Sequence, residues 1–415
     1  MAKRNIIVLL VALFICHFQM IGENPVTNTL NSGGKERTYQ VYEPSSIDDQ
    51  TSIMLCLHGL GGKSSDFFNT FDITDLAKDL NMVIVAPQAL KEQDPNVEYE
   101  LSRLPSSIMS GIKLNEAAAW GAGLYIDATY TSNGNTLIKA ELNASVNDVA
   151  FLKEVLTKIK GQYSQINTKR IFVLGVSMGG FMAYQYAMYY SDELTGLIAV
   201  SGSMGTHIKN KTGAKPLAIC DFHSVDDDVV PYAGGKTVDL GGMLGTAQVT
   251  LAEKKEDVIS FWNKLNHPSG STIAEKIFPP ENGKTVTKYT YSSQRGKDVI
   301  HYKITGANHT YFFDKANGDA MDYIDEVKDF ILAAKLAGID KVYAERMDIY
   351  PNPAHDIIYL PTETGKITIC DLAGKTVLAG NVSSLSFNIS SLTKGIYVVK
   401  LQTEQTTYVT KLQVE

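Results

Sequence analysis

Short apolar runs rich in β-branched residues alternate with longer amphipathic stretches from about residue 37 to residue 336. Ser52-Ile-Met-Leu-Cys-Leu57, Met82-Val-Ile-Val-Ala86, Arg170-Ile-Phe-Val-Leu174, Leu197-Ile-Ala-Val200 and Pro216-Leu-Ala-Ile-Cys220 show no polar alternation. Such runs predict strands buried on both faces. Between them, residues 149–163, 181–190 and 320–336 carry a helical period. The alternation predicts an α/β domain, a largely parallel sheet covered by helices, with its functional groups at the C-terminal strand ends.

Two stretches break this rhythm. Residues 90–145 form a long polar and aromatic insertion with Ala117-Ala-Ala-Trp120 and a hairpin turn at Asn133-Gly134, the kind of excursion expected to form a lid or substrate wall. A second polar stretch, residues 281–297, leads into a last strand over 298–305. After Gly338 the helical period disappears, and strands are expected at 357–360, 366–371, 395–402 and 407–414. That pattern predicts a small all-β sandwich. It holds no ionisable cluster suited to catalysis, so its work is attachment, sorting or binding.

The first residues follow a different logic. Lys3 and Arg4 precede an apolar run from Ile6 to Cys16, then a more polar stretch reaches Gly22-Glu-Asn-Pro25. This is the pattern of a secretory signal peptide over residues 1–22, too short in its apolar part to span a bilayer, and no later run approaches the ~20 residues a span needs. The expected organisation is therefore a leader (1–22), a catalytic domain (23–338), a linker (339–346) and a sandwich domain (347–415).

The chain has 415 residues, 44% hydrophobic and 20% charged, enough for two domains with substantial cores. A net charge of −7 offers no field for phosphate backbones, and no basic patch interleaved with aromatics appears. Nucleic acid is excluded as a partner. Without the leader three of the four cysteines remain, Cys56, Cys220 and Cys370, irregularly spaced. An odd count without pattern argues against a disulfide framework.

The chemistry concentrates in Lys169-Arg-Ile-Phe-Val-Leu-Gly-Val-Ser-Met-Gly-Gly180, where an apolar run enters a Gly175-x-Ser177-x-Gly179 turn and leaves as a helix-like sequence. A sharp strand-to-helix turn strains its central residue and lifts the side chain off the sheet, so small neighbours are needed on both sides. Ser177 is the candidate nucleophile. A serine hydroxyl needs a base, and the base a carboxylate. His309, in Gly306-Ala-Asn-His309-Thr after the last strand, is the candidate base. His17 belongs to the leader, His355 to the sandwich, His207 and His267 to polar segments and His301 to a strand, while His223 shares the loop of the acid. The acid lies in Asp221-Phe-His-Ser-Val-Asp226-Asp227-Asp228-Val-Val-Pro-Tyr232, where three adjacent aspartates compete. An oxyanion hole needs two backbone N–H donors. Met178 supplies one, and Leu57-His58-Gly59-Leu60-Gly61-Gly62 the other, through Leu60 first and Gly61 next. His58 is expected to brace that loop. No metal and no cofactor enter this chemistry.

With these motifs in this order, residues 30–336 resemble the secreted esterases of the polyhydroxybutyrate depolymerase and feruloyl esterase group, which have the α/β-hydrolase fold. Val146-Asn-Asp-Val-Ala-Phe-Leu152 and Arg170-Ile-Phe-Val-x-Gly-x-Ser-Met-Gly-Gly-x-Met182 carry the resemblance further. It implies Asp227 as the acid, four residues after His223. Two departures stand out: Tyr311 where the family often has Trp, and Trp120-Gly-Ala-Gly-Leu-Tyr125 followed by the long insertion in place of a double-cysteine segment. Trp120 and Tyr311 become candidate substrate contacts. The last ~70 residues resemble a type IX secretion sorting domain through Tyr350-Pro-Asn-Pro353, Asp371-Leu-Ala-Gly-Lys375, Leu392-Thr-Lys-Gly-Ile-Tyr397 and Lys411-Leu-Gln-Val. That resemblance implies export across both membranes, with the outer-membrane secretion machinery as a partner.

The expected function is a secreted serine carboxylic-ester hydrolase acting through an acyl-enzyme on a polymer-linked ester, a feruloyl or acetyl-xylan esterase on plant polysaccharide. The competing readings are a depolymerase of polyhydroxyalkanoate or aromatic polyester, a serine peptidase of prolyl-oligopeptidase type, and a non-catalytic surface binding protein.

Overall fold

The computed structural model describes residues 24–69, 73–104, 113–206, 208, 211–241, 245–293, 297–309, 313–338, 344–347, 349–371, 376–403 and 407–415. The expected leader and Tyr311 lie outside these residues. The chain divides into two compact units, Met1–Ala334 and Lys335–Glu415.

The larger unit is built on a ten-stranded sheet. Its strands are β1 (Val26–Ser32), β2 (Lys35–Tyr42), β3 (Ser52–Leu57), β4 (Met82–Pro87), β5 (Ile171–Val176), β6 (Gly196–Val200), β7 (Ala218–Ser224), β8 (Thr272–Ile277), β9 (Thr285–Ser292) and β10 (Val299–Thr305). They lie in the order β1-β2-β4-β3-β5-β6-β7-β10-β9-β8. From β4 to β10 the pairing is parallel, and a hairpin extends each side antiparallel. With the order doubling back at β3, this is the α/β-hydrolase arrangement.

The two-residue period of the strands sorts their side chains into two cores. Ile53, Leu55, Leu57, Val83, Val85, Ile171, Val173, Leu197 and Ala199 join one, against helices α2 (Asp148–Gln162), α3 (Met178–Tyr190) and α4 (Lys255–Asn266). Met54, Cys56, Ile84, Phe172, Leu174, Ile198 and Val200 join the other, with α1 (Ile73–Leu80) and α5 (Tyr323–Gly338). Continuous apolar runs were the right sign of these strands because neither face meets water.

The structure departs from the sequence expectations where pattern is weakest. The outer hairpins β1–β2 and β8–β9 carry mixed polar residues, as half-solvated strands do, and were not anticipated. Strand β7 runs to Ser224, so Asp221 and His223 are strand residues rather than members of a loop. Their polarity resembles a loop, but both are buried and hydrogen-bonded. The insertion supplies a hairpin, Tyr125–Tyr130 with Thr136–Glu141, turned through Gly134 at φ 69°. That hairpin joins Gly235–Asp239 and Thr246–Thr250 in a separate four-stranded sheet.

In the smaller unit, Ala344–Arg346, Gly365–Cys370, Thr376–Val382, Gly395–Gln402 and Thr407–Val414 form a five-stranded sheet, and Ile357–Tyr359 pairs with Ser386–Asn388. Ile358, Ile367, Ile369, Val399, Leu401 and Leu412 fill its core.

Candidate active site

Ser177 occupies the turn between β5 and α3 with φ 54° and ψ −120°, a conformation that costs a non-glycine residue of order 1–3 kcal/mol. The surroundings impose it. The Ser177 amide donates to Val200 O at 2.7 Å, and Gly180 N–H donates back to Ser177 O at 2.8 Å. The flanking glycines are steric requirements: a Cβ on Gly179 would lie 1.8 Å from Leu57 O, and one on Gly175 2.1 Å from Gly179 O. The helix thus starts close against β3, and the serine side chain stands at the sheet's C-terminal edge.

His309 arrives from the turn after β10. Its Nε2 lies 2.8 Å from Ser177 Oγ, and its Nδ1 lies 2.8 and 3.0 Å from the two carboxylate oxygens of Asp227. The three aspartates divide the work of holding this turn. Asp226 Oδ2 accepts the Gly306 amide at 2.7 Å, Asp228 Oδ1 accepts the His309 amide at 3.3 Å, and Asp227 alone faces the imidazole. Asp227 Oδ1 also accepts the amides of Val229 and Val230 at 2.9 and 2.7 Å. Burial pushes the Asp227 carboxyl up, but the hydrogen bond and charge of His309, aided by His223 and the Val230 amide, hold it below the usual carboxylate range. It is therefore ionised, as a group that fixes an Nδ1–H tautomer must be.

The loop after β3 lies directly against the serine. A Cβ on Gly59 would sit 3.3 Å from Ser177 Cβ and 3.7 Å from its Oγ. Within this loop Gly61 N–H is bound to Ala118 O at 2.8 Å and Gly62 N–H to Gly59 O at 3.0 Å. Gly61 is thereby removed as an oxyanion donor. Among the described residues the amides of Leu60 and Met178 have no acceptor; Met178 follows the serine directly, and Leu60 follows Gly59, which lies against it.

His58 holds this loop from behind. Its Nε2 accepts the Ala89 amide at 3.1 Å, so its proton is on Nδ1, donated to Gly59 O at 2.7 Å. Burial lowers its pKa to about 4, keeping the ring neutral. Trp120 corrects an expectation. It is fully buried, its Nε1–H donates to His58 O at 2.8 Å, and its ring packs on His58. No face is left for substrate; the insertion supports the Leu60 loop through Trp120 and Ala118.

Sequence reasoning did not anticipate the buried polar group behind Asp227. Asp221 accepts from Lys255 Nζ at 2.7 Å, Tyr184 OH at 2.8 Å and His301 Nδ1 at 3.0 Å, all but fully buried. Burial pushes Asp221 up, but Lys255 and His301 outweigh it and hold it far below the carboxylate range. His223 links this group to the site, with Nδ1 3.1 Å from Gly202 O, Nε2 2.8 Å from Val230 O, and Nε2 3.5 Å from Asp227 Oδ2. Burial and then Lys255 lower its pKa to about 4. The available signal was polar residues recurring at every second position of an apolar strand. Cys56 and Cys220 are buried free thiols pushed up by burial, with no part in this site.

Comparison with known proteins gives two family matches. Residues 126–240 match the Phospholipase/Carboxylesterase family, and residues 348–415 match the Secretion system C-terminal sorting domain. The chain is 20% identical over 282 residues to a bifunctional acetylxylan esterase/xylanase of Neocallimastix patriciarum, which covers 67% of this chain and 31% of that protein. It is 27% identical over 120 residues to a probable feruloyl esterase C of Aspergillus niger, covering 29% of this chain and 41% of that one. The chain thus spans only 31% and 41% of the length of these two curated relatives. Among solved structures, an acetyl xylan esterase from Aspergillus awamori superposes with a TM-score of 0.43 at 11% identity, over 74% of this chain and 99% of that one. The sorting domain marks an exported protein, secreted or attached to the cell surface. Among the described residues no helix is long and apolar enough to cross a membrane.

Proposed function

We propose that the chain is an exported serine carboxylic-ester hydrolase that acts through an acyl-enzyme on feruloyl or acetyl esters of plant polysaccharide. The observation that carries this reading is the 2.8 Å contact from Ser177 Oγ to His309 Nε2, made by a serine held in strained backbone geometry while Asp227 grips Nδ1. His309 Nε2 takes the hydroxyl proton as Oγ bonds to the ester carbonyl carbon. The charge that develops on the carbonyl oxygen is met by the amides of Met178 and Leu60, each worth about 3 kcal/mol of barrier. Collapse breaks the C–O bond, and the leaving alkoxide takes its proton from His309 Nε2. Water then attacks the acyl carbon with His309 again as base, returning Ser177 and releasing the acid. Asp227 stays ionised throughout and stabilises the imidazolium.

Export supports a substrate outside the cell, and the acetylxylan and feruloyl esterase names of the relatives support a polysaccharide ester. Residues 347–415 would be read by the outer-membrane secretion machinery, after a leader over residues 1–22 has carried the chain across the inner membrane. The test is hydrolysis of nitrophenyl acetate, methyl ferulate, acetylated xylan and a polyhydroxybutyrate film by the wild type and by Ser177→Ala. Turnover of ferulate or acetylated xylan that Ser177→Ala abolishes is expected. Turnover of the polyester film alone would move the substrate class, and no turnover of nitrophenyl acetate would end the esterase reading.

A further inference from the structure

The main sheet outruns its helices on one side. Helix α4 packs over β10, whereas every residue of edge strand β8 is exposed and β9 is only half-buried. Directly paired residues of neighbouring strands share a face. Tyr289 pairs with His301 on one side and Glu275 on the other, and Tyr291 pairs with Val299 and Ile273. The face of the sheet that α4 packs on therefore carries two tyrosines side by side along β9. With Tyr232, Glu256, Asn263 and Lys303 they line a pocket of about 310 Å³, apart from Ser177 and His309.

Three properties define what this pocket would hold. Its rings are tyrosines, flat apolar faces with a polar tip, and the Tyr232 hydroxyl is fixed 2.9 Å from His301 Nε2. Its charges cancel, because Lys303 pairs with Glu256 at 3.3 Å, so neither anion nor cation is favoured. Its lining also carries the neutral polar side chains of Ser260 and Asn263 beside the tyrosines. An apolar chain laid here would desolvate these groups without giving them partners, which is costly. A sugar ring offers apolar C–H faces to the tyrosines and hydroxyls to the polar lining.

We infer that the pocket between α4 and strands β9 and β10 is a second, non-catalytic site that holds a neutral glycan chain. The choice of glycan rests on the proposed function, while the pocket chemistry stands apart from it. Exposed Ile273 and Ile277, on the same face at 61% and 67%, extend the surface along a polymer.

The experiment titrates the full chain carrying Ser177→Ala with neutral xylo-oligosaccharides by calorimetry, at low and high salt. Saturable, salt-insensitive binding is expected, weakened at least tenfold by Tyr289→Ala and by Tyr291→Ala but retained by Tyr291→Phe. With Ser177 intact, the tyrosine variants should cleave nitrophenyl acetate at the wild-type rate, which shows that they are folded. Absence of glycan binding, or binding unchanged in both alanine variants, overturns the inference. So does concentration-dependent dimerisation that the same variants abolish, since the face would then belong to a second copy. Loss of ester turnover with glycan binding intact would instead strike the proposed function alone.

Discussion

Adjacent aspartates with the same chemistry hold three different groups here, because successive loop residues point different ways. Only Asp227 reaches the imidazole, while Asp226 and Asp228 hold backbone amides of the turn that delivers it. Asp227→Asn is therefore expected to lower kcat by roughly 10³- to 10⁴-fold, the scale of losing the correct histidine tautomer. Asp226→Asn keeps an acceptor oxygen and should cost less than about tenfold, since a hydrogen bond to a charged group is worth about 1.5–3 kcal/mol and is only partly lost. Steady-state kinetics on nitrophenyl acetate separates the two, and equal losses would remove Asp227 from its proposed role. Ser177→Ala should lose at least about 10³-fold with KM little changed.

At the scale of elements, the β5–α3 turn and the β3 loop approach so closely that only glycine fits. A methyl group on Gly179 would meet backbone of Leu57, which no side-chain rotation relieves. Gly179→Ala should destabilise the protein by about 3 kcal/mol or more, read as a lower denaturant midpoint, whereas at Gly161 an added Cβ meets nothing. The insertion contributes through its support of the Leu60 loop. Trp120→Phe keeps an aromatic ring in the site but removes the hydrogen bond to His58 O. We expect kcat to fall about tenfold with KM unchanged, one hydrogen bond's worth of positioning. A change in KM alone would return Trp120 to the substrate pocket.

For the molecule as a whole, buried histidines set the acid side of the stability curve. His58 and His223 each have a native pKa of about 4, against 6.5 when exposed. Between those values the unfolded chain binds protons that the native state refuses. Stability is thus whole above pH 6.5 and falls as pH drops from 6.5 towards 4, each histidine contributing on the order of 3 kcal/mol. Below that window Asp227 and Asp221, held low in the fold, add a further loss. Melting temperatures at pH 7, 5.5 and 4.5 should show the decline, and His223→Gln should flatten it. The smaller unit stands outside this chemistry. A chain stopped after Gly338 should keep nitrophenyl acetate turnover within about twofold while losing export, as expected when domains have separate cores.

The sequence by itself determined what local chemistry can encode. Continuous apolar runs announced the buried central strands, because a strand covered on both faces has no polar side. The glycine spacing around Ser177 announced its turn, because steric exclusion there acts over a few residues. Tertiary structure alone decided what depends on contacts between distant residues. It set Asp227, already implied by the resemblance, against the His309 imidazole, gave the Gly61 amide to Ala118, and buried Trp120 behind His58. It also joined Asp221 and His223, whose polarity alone suggests a loop, with Lys255 and His301 in a hydrogen-bonded buried core. A polar residue's burial follows from its partners, and those partners lie up to 80 residues away.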